Sequence, residues 1–318
     1  MTNLTDTTKT VPAIVEELNS KKTRTPRGGR DWKITPWLFL AVPLVLLAVF
    51  TYLPAANLLY YSLTTWNGFS ASPKTFVGLD NFVQIFTRKD ILPVFLVSLY
   101  YIAASFLQMA IALYFATILS FSTWFRNLFK GILFFPSLIN GVAIGFVFLY
   151  LFQPHGTLDT LLAATGLGDL SRHWLGDPDV VNWSLAGTSV WRYTGLNFVL
   201  FLGAIQSIPN EIYEAAEIDG ANRWHQFRYI IAPSIRRIIG LSFILAISGS
   251  LAVFEIPYIM TLGANGSMTF VIKTVTLGLG TFHKVGLASA MAVVLLALVL
   301  FLTWLQRRLV PDEKVDLS

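Results

Sequence analysis

Arg192 and Glu255 are ionisable residues that lie within or near long apolar stretches of this 318-residue sequence. A charge in such a place is costly, so it is paired, interfacial or turned towards a polar path. Gln108 and Asn140 lie in the same kind of stretch. They can offer donors and acceptors to a polar solute, or bond from helix to helix. Catalysis has little to work with. His155, His173, His225 and His283 are scattered over polar connections with no HExxH or paired spacing, there is no cysteine, and no nucleophile–base or metal constellation is present. Gly278 to Lys284 carries a lysine without the spacing of a GxxxxGK[ST] phosphate loop. The chain therefore lacks the means to hydrolyse ATP by that chemistry. Asp159, Asp169, Asp177 and Asp179 share one connection with spacing too loose for a calcium loop, and read as a solvated face for a partner.

The elements that must position these residues are membrane-spanning helices. Hydrophobic residues make up 54% of the chain and charged residues 13%, with a mean hydropathy of +0.61. Soluble domains carry about 25% charged residues, so lipid must solvate much of this surface. A span needs about 20 apolar residues. Six stretches qualify, at 37–63, 92–119, 130–152, 184–207, 238–262 and 286–306. The first is too long for a signal-peptide core and reads as an uncleaved span after a basic tail at 1–36, of which residues 1–30 are expected to be mostly disordered. Gly141 and Gly145 form GxxxG in the third stretch, which reads as close helix packing.

Basic residues set the orientation. With both termini cytoplasmic, positions 21–33, 126, 130, 208–237 and 307–314 hold fifteen Lys and Arg on the inside. Lys74, Arg88, Lys89, Arg172, Lys273 and Lys284 make six outside. This asymmetry accounts for a net charge of +5 without a nucleic-acid partner. The external connections are then 64–91, 153–183 and 263–285, with a cytoplasmic loop at 208–237 and a C-terminal tail at 307–318.

That cytoplasmic loop is too polar to span. It reads as two short helices joined at Asp219-Gly220. Pro209 and Asn210 suit a helix start, and Glu211 and Glu214 complement its dipole. Gly220 supplies a backbone angle other residues resist. Asp219 is expected to cap the second helix, where Trp224, Phe227, Ile230 and Ile231 form an apolar stripe that Pro233 ends. A hairpin that merely joins two spans would account for this pattern as well as a stiff lever would.

Glu214-Ala215-Ala216-x-x-Asp219-Gly220-Ala221, followed by Phe227, Ile230 and Pro233, resembles the EAA loop of permease subunits of binding-protein-dependent ABC importers. Phe76 to Phe82, Trp191-Arg192-x-x-Gly195-Leu196-Asn197 with Ile208-Pro209, and Phe254-Glu255-x-x-Tyr258-x-x-Thr261 are similar to the sugar-permease subgroup, the first permease of oligosaccharide and glycerol-phosphate importers. The sequence departs from the pattern at Ala232, at Arg237 and across Thr261 to Asn265, where the subgroup has TGGGP.

The resemblance implies an all-α membrane protein of six transmembrane helices with the type I importer permease fold, in a bacterial or archaeal cytoplasmic membrane. It implies a second, homologous permease, two ATPase subunits that bind ATP and Mg, and an extracytoplasmic solute-binding protein, with no cofactor in this chain. Glu214, Ala215, Ala216, Asp219, Gly220 and Ala221 would dock the ATPase. The solute path would run past Ser189, Arg192, Tyr193, Leu196 and Asn197, with Gly249, Ser250 and Val253 opposite. Gln108, Asn140, Glu255 and Tyr258 are secondary candidates, since interhelical bonding or charge pairing accounts for them equally well. A gradient-driven transporter or channel would instead require a relay of intramembrane carboxylates, for which only Glu255 is suited.

Overall fold

The computed structural model describes residues 31–121, 125–280 and 282–309 of the protein, and these are mainly helical. The single strand-like pairing among them is a bridge between Thr64 and Phe76. The expected tails lie outside the described residues, apart from their helical ends at 31–36 and 307–309. The chain divides after Asn57 into two compact units.

The first unit is built on α1 (Asp31–Leu47), which passes through a π-helical turn (Ala48–Tyr52) into α2 (Leu53–Ser62). Proline explains the wide turn. Pro54 has no N–H to give to the helical ladder, and the Leu53 N–H just before it reaches back to the Ala48 carbonyl. The same device recurs before Pro233, where Phe227–Ile231 is π-helical and the Ala232 N–H bonds the Phe227 carbonyl.

The second unit is organised around α4 (Val94–Ser120) and α8 (Val181–Gln206), its most extensively packed helix pair. Ala112 and Ala116 of α4 are fully buried one turn apart, in one cluster with Phe198, Phe201 and Ile205 of α8. Tyr101 and Ala104 join Val181, Leu185 and Ile256 in a second cluster. The opposite side of α4 exposes Leu96, Leu99, Phe106, Leu107 and Tyr114. A helix buried through small and polar residues and apolar on its outside suits lipid.

Helices occupy all six expected stretches. Trp37–Ser62, Val94–Ser120, Arg236–Thr261 and Val285–Leu305 are long and apolar enough to cross a membrane. α8 is long enough but carries Asn182, Ser184, Thr188, Ser189, Thr194 and Asn197, all buried. Protein takes the place of lipid around it. The stretch expected to span at 130–152 is a broken pair, α5 (Arg126–Leu138) and α6 (Gly141–Leu151), bent by 98°. Ile139 is extended there, and the Asn140 side chain accepts the Val142 N–H at 2.8 Å, opening a new helix.

Short helices order the connections. In α3 (Asp80–Thr87), the buried Asn81 amide donates to the carbonyls of Ser62 and Thr64 at 2.9 and 2.8 Å. α7 (Thr157–Ala164) carries Asp159, which accepts from Ser171, Trp174 and the His155 N–H. The Ser171 and Trp174 hydrogen bonds hold its carboxyl below the ordinary range. Asp159 therefore organises its own loop instead of joining an open acidic face. After α13 (Glu255–Thr261), the Thr261–Asn265 departure forms a turn with left-handed Leu262 and Asn265, and the Asn265 amide donates to the Leu175 carbonyl. α14 (Phe270–Gly278) and α15 (Val285–Leu309) pack together and complete the unit.

Candidate functional site

Three helices enclose a cavity of about 520 Å³, within the range of about 300–1,000 Å³ usual for small-ligand sites. α4 brings Tyr101, Ser105 and Gln108, one helical face by their spacing. α8 brings Ser189, Tyr193, Leu196 and Asn197. α12 (Arg236–Leu251) brings Gly249 and Ser250, and the break before α13 adds Val253, Phe254 and Glu255. The cavity lies near mid-length of both α4 and α8.

Its polar groups fall into two kinds. The hydroxyls of Ser105, Ser189 and Ser250 each donate to a carbonyl of their own helix, at Ile102, Leu185 and Ala246. Their free lone pairs are what they can offer a ligand. The Gln108 and Asn197 amides, in residues 7% and 8% exposed, have no hydrogen-bond partner among the described residues. The buried Tyr101 hydroxyl is also unpartnered. The two amides, which line the cavity without protein partners, are free to bond a ligand or water there. Tyr193 and Phe254 supply flat apolar surface.

Several expected path residues are elsewhere. Arg192 is one residue, and so about 100° of helical turn, away from Tyr193. Its Nη1 donates to Glu255 Oε2 at 2.7 Å, and its side chain is 14% exposed. The guanidinium lies over the Tyr193 ring, 4.8 Å from its centre, and does not itself line the cavity. Gly141 makes room for the pair: a Cβ there would collide with both charged groups. Gly145 packs on Ile259 in the same way, as the GxxxG spacing suggested. Asn140 is exposed and spent on capping α6, and Tyr258 stacks on Phe254 at 4.7 Å instead of reaching the cavity. Tyr101 and Ser105 were missed in the sequence. The signal was their spacing with Gln108, hidden in a helix that is apolar on every side.

A second site is the elbow between α8 and α12. α9 (Asn210–Ile218) ends at Gly220, whose φ is +79°. The Ala221 N–H reaches back to the Ala216 carbonyl at 2.8 Å, the closing bond of a glycine C-cap. Asp219 therefore finishes the first helix, contrary to expectation. Asn222 caps the second, α10 (Arg223–Gln226), by accepting the His225 N–H. A short helical turn, α11 (Ala232–Ser234), follows the π-helical stretch and leads into α12. Glu214, Ala215, Asp219 and Gly220 are exposed, while Ala216 and Ala221 are half-buried. Of the expected apolar stripe, Ile231 is buried but Trp224 is 62% exposed; Ile218, at the end of α9, is 88% exposed. Beneath α9, Tyr213 has an unpartnered buried hydroxyl, and burial pushes its pKa up. Among the described residues no group of side chains could hold a metal ion.

Residues 108–315 match the family of binding-protein-dependent transport system inner membrane components. The chain belongs to that family. A probable ABC transporter permease of Bacillus subtilis, YurN, is 35% identical over 89% of this chain and 98% of its own length. The diacetylchitobiose uptake permease NgcF of Streptomyces coelicolor is 30% identical over 86% of this chain and 84% of its own. A chain of a bacterial ABC transporter that imports the acidic polysaccharide alginate shares the fold with a TM-score of 0.73, at 24% identity over 88% of this chain and 99% of that one. The protein is thus an ABC importer permease, with the all-α fold of such permeases.

Proposed function

We propose that this permease forms half of an alternating-access path for a carbohydrate, with the 520 Å³ cavity as its solute station. The carrying observation is the trio of Tyr101, Gln108 and Asn197 on the cavity wall, whose polar side-chain groups have no hydrogen-bond partner among the described residues. Amides that both donate and accept, beside aromatic faces, suit a molecule that is polar at its rim and apolar across its rings. The diacetylchitobiose relative favours the same class.

The elbow is the docking surface for a separate ATPase. The exposed Ile218 and Trp224 flank a rigid glycine turn that would pass motion into α8 and α12. ATP and Mg are then bound and used by partner subunits, a second permease completes the path, and a solute-binding protein docks on the other face. Both termini and the 208–237 elbow lie on the cytoplasmic side of a bacterial or archaeal membrane, and 64–91, 153–183 and 263–285 lie outside. The test is purification of the assembled complex with its neighbouring gene products and reconstitution into proteoliposomes. Uptake of a radiolabelled oligosaccharide that requires both ATP and the binding protein supports the reading. ATP-independent uptake driven by an imposed ion gradient overturns it.

A further inference from the structure

We propose that the cavity selects uncharged, polyhydroxylated solutes and refuses acidic ones, uronic acid sugars and phosphodiesters alike; this rests on the carbohydrate reading above. Two independent features of the wall carry it.

The first is charge. Glu255 is the one Asp, Glu, Lys or Arg on the cavity wall, and its side chain is 51% exposed. The nearest cation, Arg192, has its Nη1 on that carboxylate, next to Gly141, and its guanidinium lies 4.8 Å over the ring of Tyr193, so it does not itself line the cavity. A carboxylate or phosphate entering the cavity would shed water and meet a carboxylate whose one cation is already engaged in the ion pair. A buried charge needs a partner, and a neighbouring like charge disfavours the ionised form.

The second is hydrogen-bond polarity. The Ser105, Ser189 and Ser250 hydroxyls have their protons committed to backbone carbonyls at 2.7, 3.1 and 2.7 Å. They meet a solute as acceptors. A carboxylate or phosphodiester has only acceptors to offer in return, whereas a sugar hydroxyl donates and accepts at once. Gln108 and Asn197 are likewise bifunctional. Three acceptor sites therefore match a neutral sugar and oppose an anion. The likeness to an alginate importer is one of fold and transmits no charge preference to this wall.

The experiment is equilibrium binding to the intact transporter complex in lipid nanodiscs, without the solute-binding protein, so that only the membrane cavity is read. The probes are radiolabelled maltotriose, cellotriose and chitotriose against trigalacturonate of the same length. We expect at least one neutral trisaccharide to bind tenfold or more tightly than the uronate. Glu255→Gln should narrow that ratio by at least threefold, because it removes the anion and frees Arg192. Trigalacturonate binding as well as or better than every neutral probe overturns the charge selection while leaving the carbohydrate reading intact. An unchanged ratio in Glu255→Gln overturns the role given to Glu255. Saturable binding of none of the four overturns the carbohydrate reading itself, and the selection with it.

Discussion

Arg192 Nη1 stands 2.7 Å from Glu255 Oε2, joining α8 to α13 across 63 residues of sequence. The pair closes over Gly141, the first residue after the 98° break in the third apolar stretch. One ion pair thus fixes three helices at a place where each is interrupted or polar. The Arg192 side chain is largely enclosed, while that of Glu255 is half exposed and belongs to the cavity wall. Structural charge and solute wall meet in Glu255.

Loss of either member should therefore loosen the bundle. Arg192→Gln leaves a carboxylate that is half exposed and can hydrate, so its cost should be about 1.5–3 kcal/mol, the worth of a charged hydrogen bond and less than the loss of a fully buried pair. Gly141→Leu should cost at least as much, since even a Cβ collides with both charged groups. Thermal unfolding of the purified complex in detergent should drop measurably for both. Wild-type melting of Gly141→Leu would contradict the close approach of α6 to the pair.

At the elbow the cost is conformational. Gly220 has φ +79° with open space around its Cα. A valine there fits sterically but not in backbone angle, at about 1–3 kcal/mol. Asparagine tolerates the left-handed region far better. Gly220→Val should lower solute-stimulated ATP hydrolysis or release the ATPase on purification, and Gly220→Asn should restore most of the coupling. Equal coupling in all three proteins would remove the turn from the lever.

The elbow was legible in sequence because a polar segment between apolar stretches has few readings and glycine marks its turn. Two features were not. The break at Asn140 had its signals, Pro136 in the preceding turn and an Asn-Gly cap, but within an apolar run they read as ordinary helix packing. The direction of Arg192 was open in sequence, since it lies about 100° from Tyr193 but within one turn of both Ser189 and Leu196, which line the cavity. Its partner, 63 residues away, is visible only in three dimensions. Tyr101 and Ser105 gave no contrast of polarity around α4, because lipid-facing and cavity-facing sides are both rich in apolar residues.

Topology has a clean assay, because the chain contains no cysteine. Leu170→Cys and Tyr229→Cys place thiols at positions 53% and 68% exposed on opposite sides of the proposed membrane. An impermeant maleimide added to intact spheroplasts should label the first, and label the second only after permeabilisation. The reverse pattern would invert the orientation and move the elbow away from the ATPase.

Asp90 is gripped by Arg88 at 3.0 Å and by Lys273 at 3.0 Å, linking the segment before α4 to α14. The hydrogen bond from Arg88 is the largest cause that holds its carboxyl below the ordinary range, with Lys273 adding to it. A depressed native pKa means stabilisation present above the unfolded value, about 3.9, and lost as pH falls through the lower native one. Asp90→Asn should therefore lower stability by a constant amount from pH 5 to 8, and the gap to wild type should close only below about pH 4. The side chains are 30–47% exposed on two of the three partners, so the loss is about 1 kcal/mol or less. Melting curves across that pH range read it directly; a gap that widens on acidification would contradict the sign.

Asn197 and Asn140 separate solute recognition from scaffold. Asn197 is 8% exposed, lines the cavity and has no partner among the described residues. Asn140 is exposed and accepts the Val142 N–H as the cap of α6. Removing a hydrogen bond to solute in an enclosed site costs about 1–3 kcal/mol, and each ~1.4 kcal/mol is a factor of ten. Asn197→Ala should therefore weaken uptake about tenfold, with the ATPase still attached and the melting temperature little changed, because the free protein loses no bond. Asn197→Gln, which keeps the amide, should recover part of the loss. Asn140→Ala should show the opposite signature: about 1 kcal/mol of stability lost with the cap, and half-saturation for solute near wild type. Uptake by Asn197→Ala at the wild-type rate and half-saturation would take this side chain out of the solute path. A fall in its melting temperature matching that of Asn140→Ala would assign it a structural role instead.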